Sequence, residues 1–425
     1  MFTKRRLIVA GFSLLGLVGA LAAADRANPP DMARFAAVSP EVVDRHGALL
    51  RPFLSRDGYW RLRTAPADVN PRYLALLKAY EDKRFDDHWG VDPLAMLRAA
   101  FQLARAQRIV SGGSTLSMQA ARLLEPRPRG IAAKLFQMAR ALQLEERYSK
   151  DEILSIYLTL APFGGNLEGV RAASLAYFGK QPSALDLSEA ALLVALPQSP
   201  ARDRPDRYGL AAIKGRNKVL ARMVDEGVVS AGDAAVARRE GVASLRLQMP
   251  LSAPHLAQRL ERAHPHTLRL ATTIDAPLQG AIERMAARER AYLEDGGSLA
   301  IVVVENRTRN VLAYVGGTDY WGRSGQIDLA MRARSPGSTR SATYACVTLR
   351  LPPEKPSMTR AAKTHGRDGA NASIAQPAEA PNWLTMRTRL RPIRSLRLPQ
   401  TGPPTNWQKA NVEKRSPTTT YDAPK

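Results

Sequence analysis

Between Pro71 and Met223 apolar residues recur every three or four positions in one segment after another, a pattern that leaves little freedom over the fold. "RYLALLKAYEDKRF", "PLAMLRAAFQLARA", "IAAKLFQMARALQLEERY" and "KDEILSIYLTLA" each place apolar side chains on one helical face. "SALDLSEAALLVAL" opens on a Ser/Asp-type cap and continues helical to Pro197. A strand has a side-chain period of two and cannot carry such sequences, so a mainly α domain is expected. Residues 25–70 read as extended and irregular, apart from "VVDRHGALLR", a short hairpin around His46-Gly47. Beyond a small helical connector, "LRLATTIDAPLQGAIERMAARERAYL" predicts strand, turn and helix. "GSLAIVVVENRTRNVLAYVGG" then predicts two strands about an Asn/Arg turn, the opening of an incomplete α+β domain.

The N-terminus bears on topology. "MFTKRR" is basic, and the run from Leu7 to Ala24 carries no charge. Its residues, at about 1.5 Å each, just suffice to cross a hydrocarbon core. Lys4, Arg5 and Arg6 would stay cytoplasmic, so everything after Asp25 would be exported. An uncleaved anchor is expected; the rival is a signal peptide, since Ala22-Ala23-Ala24 also suits a signal peptidase. The 62 Lys+Arg against 39 Asp+Glu give a formal net charge of +23, which favours anionic partners. Export turns that preference toward an anionic membrane and away from nucleic acid. The single cysteine, Cys346, excludes an intramolecular disulfide and argues against a cysteine-rich zinc site. After Thr339 the chain is rich in Pro, Arg, Ser and Thr without periodicity, a texture expected to be disordered.

The chemistry concentrates in two segments. "EDKRFDDHWGVD" sets Glu81, Asp82, Phe85, His88 and Asp92 at near-helical offsets beside a Trp-Gly break. "SGGSTLSMQAARLL" follows, with Gly112-Gly113 to admit a close ligand and hydroxyls at Ser114, Thr115 and Ser117 to bind sugar or phosphate oxygens. Alone, the first would pass for a solvated acidic face and the second for a loop with a cap. In order, they resemble the peptidoglycan glycosyltransferases of family 51, the polymerase modules of bifunctional penicillin-binding proteins. Glu81, Asp82, Phe85, His88, Gly90 and Asp92 match that family's first motif, and Gly112 to Thr115 with Gln119 match its second. Lys150, Ile153, Leu154, Tyr157 and Leu158 match its fourth. The combination "STLSMQ…APFGG…ALPQSP" looks most like the 1C branch. The third motif departs, keeping Lys134 but placing Gln137 where a second carboxylate stands, and Thr159 replaces the fourth motif's Asn.

The resemblance implies a lysozyme-like helical glycosyltransferase domain at 71–225, after an anchor at 1–24 and an extended juxtamembrane segment at 25–70. A linker at 226–267, an incomplete transpeptidase fragment at 268–339 and a disordered tail at 340–425 would follow. The implied reaction joins lipid II to a growing glycan strand at the inner membrane, with the catalytic domain in the periplasm. Further partners would be wall-synthesis proteins and the anionic membrane, with no nucleic acid. Glu81 is the expected base, with Asp82 orienting it or positioning a cation and Gln137 in the catalytic group. Gly112, Gly113, Ser114, Thr115 and Gln119 would bind substrate, and Lys134, Arg122 and Arg140 would meet the departing pyrophosphate, although both arginines also suit solvated helix faces. His88 is expected to be packed rather than catalytic. A glutamine cannot bind a cation as a carboxylate would, so no strict requirement for a divalent ion such as Mg2+ is expected. The arginines of "VDPLAMLRAAFQLARAQRIV" would suit lipid headgroups, and His264-Pro265-His266 reads as a loop. Ser338 occupies the place of a transpeptidase nucleophile, but Ser341 stands where Ser-x-x-Lys needs its lysine. Transpeptidation is therefore expected to be absent.

Overall fold

The computed structural model describes Ala23 and residues 25–98, 113–128, 130–293 and 297–332, all within one compact unit. The run Leu7–Ala22, the arginines at 105 and 108, Gly112 and the chain from 333 onward, Ser338 and Cys346 included, lie outside these residues. Among the described residues no helix is long and apolar enough to cross a membrane.

The helices expected within 72–85, 131–148, 150–161 and 183–196 form, while "PLAMLRAAFQLARA" runs outside the described residues after Arg98, and helix ends follow local chemistry. A single helical turn, α1 (Ala33–Ala36), precedes α2 (Pro71–Glu81), where Asn70 caps the N-terminus by accepting from Arg72 N–H and Pro71 occupies the first helical position. Then come α3 (Leu116–Leu124), α4 (Ile131–Arg147) and α5 (Lys150–Leu160). Ser149 and Glu152 close a capping box at the start of α5. The series continues with α6 (Val170–Phe178), α7 (Leu187–Ala195), α8 (Gly209–Asp225) and α9 (Ala231–Arg239). Asp186 and Glu189 form a second box at α7. Nearly every residue of α6 and α7 is buried, so these helices sit inside the domain and α2, α5 and α8 pack around them.

Residues 25–70 depart from expectation. They are woven into the fold, because their short strands find partners far along the chain. β1 (Glu41–Val43) pairs antiparallel with β2 (Leu49–Pro52), the expected hairpin around Gly47. On its other edge β1 runs parallel to β6 (Arg269–Ala271). β3 (Trp60–Arg61) joins β5 (Leu167–Glu168), which pairs with β4 (Pro162–Gly164). Buried Glu41 accepts from Arg171 of α6 at 2.8 Å and from Arg269 of β6 at 3.2 Å. Arg51 donates to the Pro254 carbonyl at 2.8 Å, at the start of α10 (Pro254–Ala263).

The strand–turn–helix reading of the later segment holds. Asp275 caps α11 (Ala276–Glu289), and β7 (Ile301–Val304) pairs antiparallel with β8 (Val311–Val315). Fully buried Gln279 of α11 exchanges two hydrogen bonds with the Tyr314 backbone and locks the helix onto β8. His264 to His266 lie in a turn, as expected.

Candidate active site

α2 buries Tyr73, Leu76, Leu77 and Tyr80, and its last residue, Glu81, emerges half-buried at the surface of this packing. Both carboxylate oxygens are held by amides. Gln119 of α3 donates to Oε2 at 2.9 Å, and Gln198 donates to Oε1 at 2.9 Å. Gln198 ends the 3-10 turn Leu196–Gln198 directly after α7. The buried phenols of Tyr73 and Tyr157 lie within electrostatic reach of Glu81. Burial first and that negative charge second push both phenols above the usual tyrosine range, so they stay neutral.

Asp82 points the other way. Its buried carboxylate accepts from the Leu116 N–H at 2.9 Å and bonds His88 Nε2 at 2.9 Å, fixing the N-terminus of α3 against the loop after α2. Thr115 caps the same helix by accepting from Met118 N–H, while its own hydroxyl donates to the Gly90 carbonyl at 2.5 Å. Gly90 has φ of +77°, and a Cβ there would lie 2.8 Å from the Ala141 backbone, so only glycine allows α4 to come this close. Lys150 donates to the His88 carbonyl at 2.6 Å and to Glu145 at 2.8 Å, and Ser117 shares the same Glu145 oxygen.

Lys134 of α4 donates to Ser114 Oγ and is half-buried. Burial, then the nearby Arg122 charge, hold its ammonium below the usual lysine range. Gln137 lies one turn further along the same helix, partly exposed. A cavity of about 420 Å³ is lined by Arg84, His88, Trp89, Asp92, Leu94 and Leu142 among others. Of its lining, Trp89 and Leu94 are exposed, and Leu97, Ile131 and Leu135 also leave large apolar surfaces exposed.

With this geometry in place, comparison with known proteins is decisive. Residues 47–224 match the family model described as Transglycosylase. These residues belong to the transglycosylase family. Penicillin-binding protein 1C of Escherichia coli is 45% identical over 299 residues, covering 70% of this chain and 39% of that protein. Penicillin-binding protein 1A of Aquifex aeolicus is 42% identical over 192 residues, covering 45% of this chain and 26% of that protein. The chain thus spans less than half the length of these relatives. A crystal structure of penicillin-binding protein 1A from Haemophilus influenzae covers 67% of this chain and 48% of that one, at 15% identity and a TM-score of 0.30.

Gln119 pairs with Glu81 and Lys134 with Ser114, and three expectations change. Arg140 is no anion receptor. Its guanidinium is buried and committed to Glu125 at 2.8 Å, the Asn28 carbonyl at 2.5 Å and Gln143 at 2.6 Å. Thr115 does not offer its hydroxyl to a sugar, because that group is buried and used both as donor and as acceptor. Gln119 meets Glu81 instead of open space. Asp82 holds the Leu116 N–H and His88, and His88 is packed as expected, with Nδ1 buried. Thr159, at the altered fourth motif, accepts from the Thr64 N–H inside the core. Among the described residues no three His, Cys, Asp or Glu side chains converge as a metal site would require, and Gln137 offers an amide in place of a carboxylate. Residue type alone does not single out Gln198 or Glu145. For Gln198 the available signal was "ALPQSP", a loop whose proline fixes the residue before the glutamine.

Proposed function

We propose that the transglycosylase domain polymerises lipid II into glycan strands, with Glu81 as general base. The observation that carries this reading is a carboxylate held at the domain surface by two neutral amides, with no cation paired to it among the described residues. Such a group stays available to take a proton. Glu81 removes the proton from the 4-hydroxyl of the incoming lipid II as that oxygen attacks C1 of the growing strand. The C1–O bond to undecaprenyl pyrophosphate breaks, and the leaving group keeps the electron pair. Direct action on the acceptor gives inversion through an oxocarbenium-like transition state. Lys134, with Arg122 near enough to act on its charge, would stabilise the departing pyrophosphate. The apolar rim of Trp89, Leu94 and Leu97 supports work at a lipid surface, and an anchor at 1–24 would set the domain on the periplasmic face of the inner membrane.

The deciding experiment incubates the purified protein with labelled lipid II and with preformed glycan. Polymer from lipid II supports the proposal. Shortening of preformed glycan would indicate a hydrolase instead, and neither outcome would point to a non-catalytic scaffold for wall-synthesis proteins. Acylation of Ser338 by labelled penicillin is expected to be absent, because Ser341 cannot replace the lysine that such a serine needs.

Lys134 gives a pH prediction. Its proton is lost at lower pH than for an ordinary lysine, so activity should fall on the alkaline side as the ammonium discharges. Lys134→Arg keeps its charge throughout the alkaline range. The alkaline limb of the rate profile should accordingly move upward in this variant, even where the maximal rate drops. An unmoved limb would remove Lys134 from the leaving-group site.

A further inference from the structure

We propose that Gln198 is a positioning residue for Glu81, forming with Gln119 an amide clamp that fixes the base without tying it to a cation. The inference rests on the reading of Glu81 as the base. The geometry is nearly symmetric: one amide nitrogen stands 2.9 Å from each carboxylate oxygen. The two arms come from different parts of the fold. Gln119 is carried by α3, and Gln198 by the turn after α7, whose Leu196 is fully buried and whose parent helix packs on α2. The backbone delivering Gln198 is therefore pinned in the core, although the side chain itself is exposed.

Amides suit this task for a chemical reason. An ammonium or guanidinium would also orient the carboxylate, but would stabilise its charge and weaken it as a base. A carboxamide presents N–H₂ to a carboxylate and, after rotating by about 180°, its carbonyl to a carboxylic acid. It can thus hold Glu81 before and after the proton arrives. With one donor on each oxygen, a second lone pair on each remains for the acceptor hydroxyl. Titratable or charged groups on and around α2 include Arg72, Tyr73, Tyr80 and Lys78 with its partner Asp86, together with Tyr157 of α5, Arg122 of α3, Asp82 and Arg222 of α8, which stacks on Tyr80. Among the described residues the hydrogen-bond donors on the Glu81 carboxylate are the two glutamines alone.

The test is a titration that does not depend on turnover. The Glu81 carboxyl is followed by carbon NMR in the full chain with labelled glutamate, its signal identified by loss in Glu81→Gln. In Gln198→Glu a second carboxylate faces Glu81, and the midpoint should rise by at least about one pH unit. In Gln198→Lys the new ammonium should lower it. Thermal midpoints should match wild type in both variants, because an exposed side chain is exchanged. Opposite displacements establish the clamp. Midpoints within about 0.3 units of wild type in both variants overturn it, because a merely structural residue would not move them. Lipid II assays on the same samples keep the two readings apart: displaced midpoints with an inactive wild type would sink the proposed activity and leave the clamp, and the converse would sink the clamp alone.

Discussion

Glu81→Gln should lower glycan polymerisation by about 10²- to 10⁴-fold, the range associated with losing a general base. The substitution is nearly isosteric, so the packing of Tyr73, Leu77 and Tyr80 beneath it is untouched. Two effects combine. The amide nitrogen has no lone pair for the acceptor's proton. It must also face one of two amide donors, Gln119 or Gln198, so one of them has to rotate or lose its partner. Folding should survive, because Glu81 is half-exposed and its neighbours are flexible side chains. The measurement is initial rate from labelled lipid II, with urea unfolding as a control. A variant that keeps more than a tenth of wild-type activity while folding normally would remove Glu81 from the chemistry.

The second large effect concerns stability. Glu168→Ala should cost about 3–5 kcal/mol, the usual result of stripping one partner from a buried ion pair. Glu168 accepts from Arg61 at 2.6 Å and from Arg34 at 2.5 Å. Arg61 is fully buried, and its remaining donors serve the Ala37 and Arg34 carbonyls and Asp57. Without Glu168 a guanidinium stays in the interior with only a partly exposed carboxylate for charge compensation. Urea titration of the purified protein would read the loss. A change under 1 kcal/mol would mean that water or Asp57 replaces the missing partner fully.

The helical part of this fold was legible because its signals are local. Apolar spacing located α2, α4, α5 and α7, and the Ser/Asp cap of "SALDLSE" marked the start of α7. The strands of residues 25–70 were not, apart from the hairpin. β3 and β5 contain two residues each, too few for any period to show, and β1 finds its parallel partner only at Arg269. The site divides in the same way. Glu81, Lys134 and Gln119 announce themselves through spacing. Thr115 and Arg140 mislead because a hydroxyl or a guanidinium reads alike whether it faces a ligand or the interior. Gln198 escapes notice because a glutamine after proline in a loop belongs to no periodic pattern.

The parallel pairing of β1 with β6 sets a timetable for biogenesis. Glu41 and Arg269 are 228 positions apart in the chain. At roughly 5–20 residues per second of synthesis, β6 leaves the ribosome on the order of ten to forty-five seconds after β1. Throughout that interval the hairpin must hold an open edge while the helices between assemble, and for the later part of it Glu41 has Arg171 of α6 as its partner. The first strand to be made is therefore among the last to be finished, and a chaperone able to shelter a strand edge would have its window there.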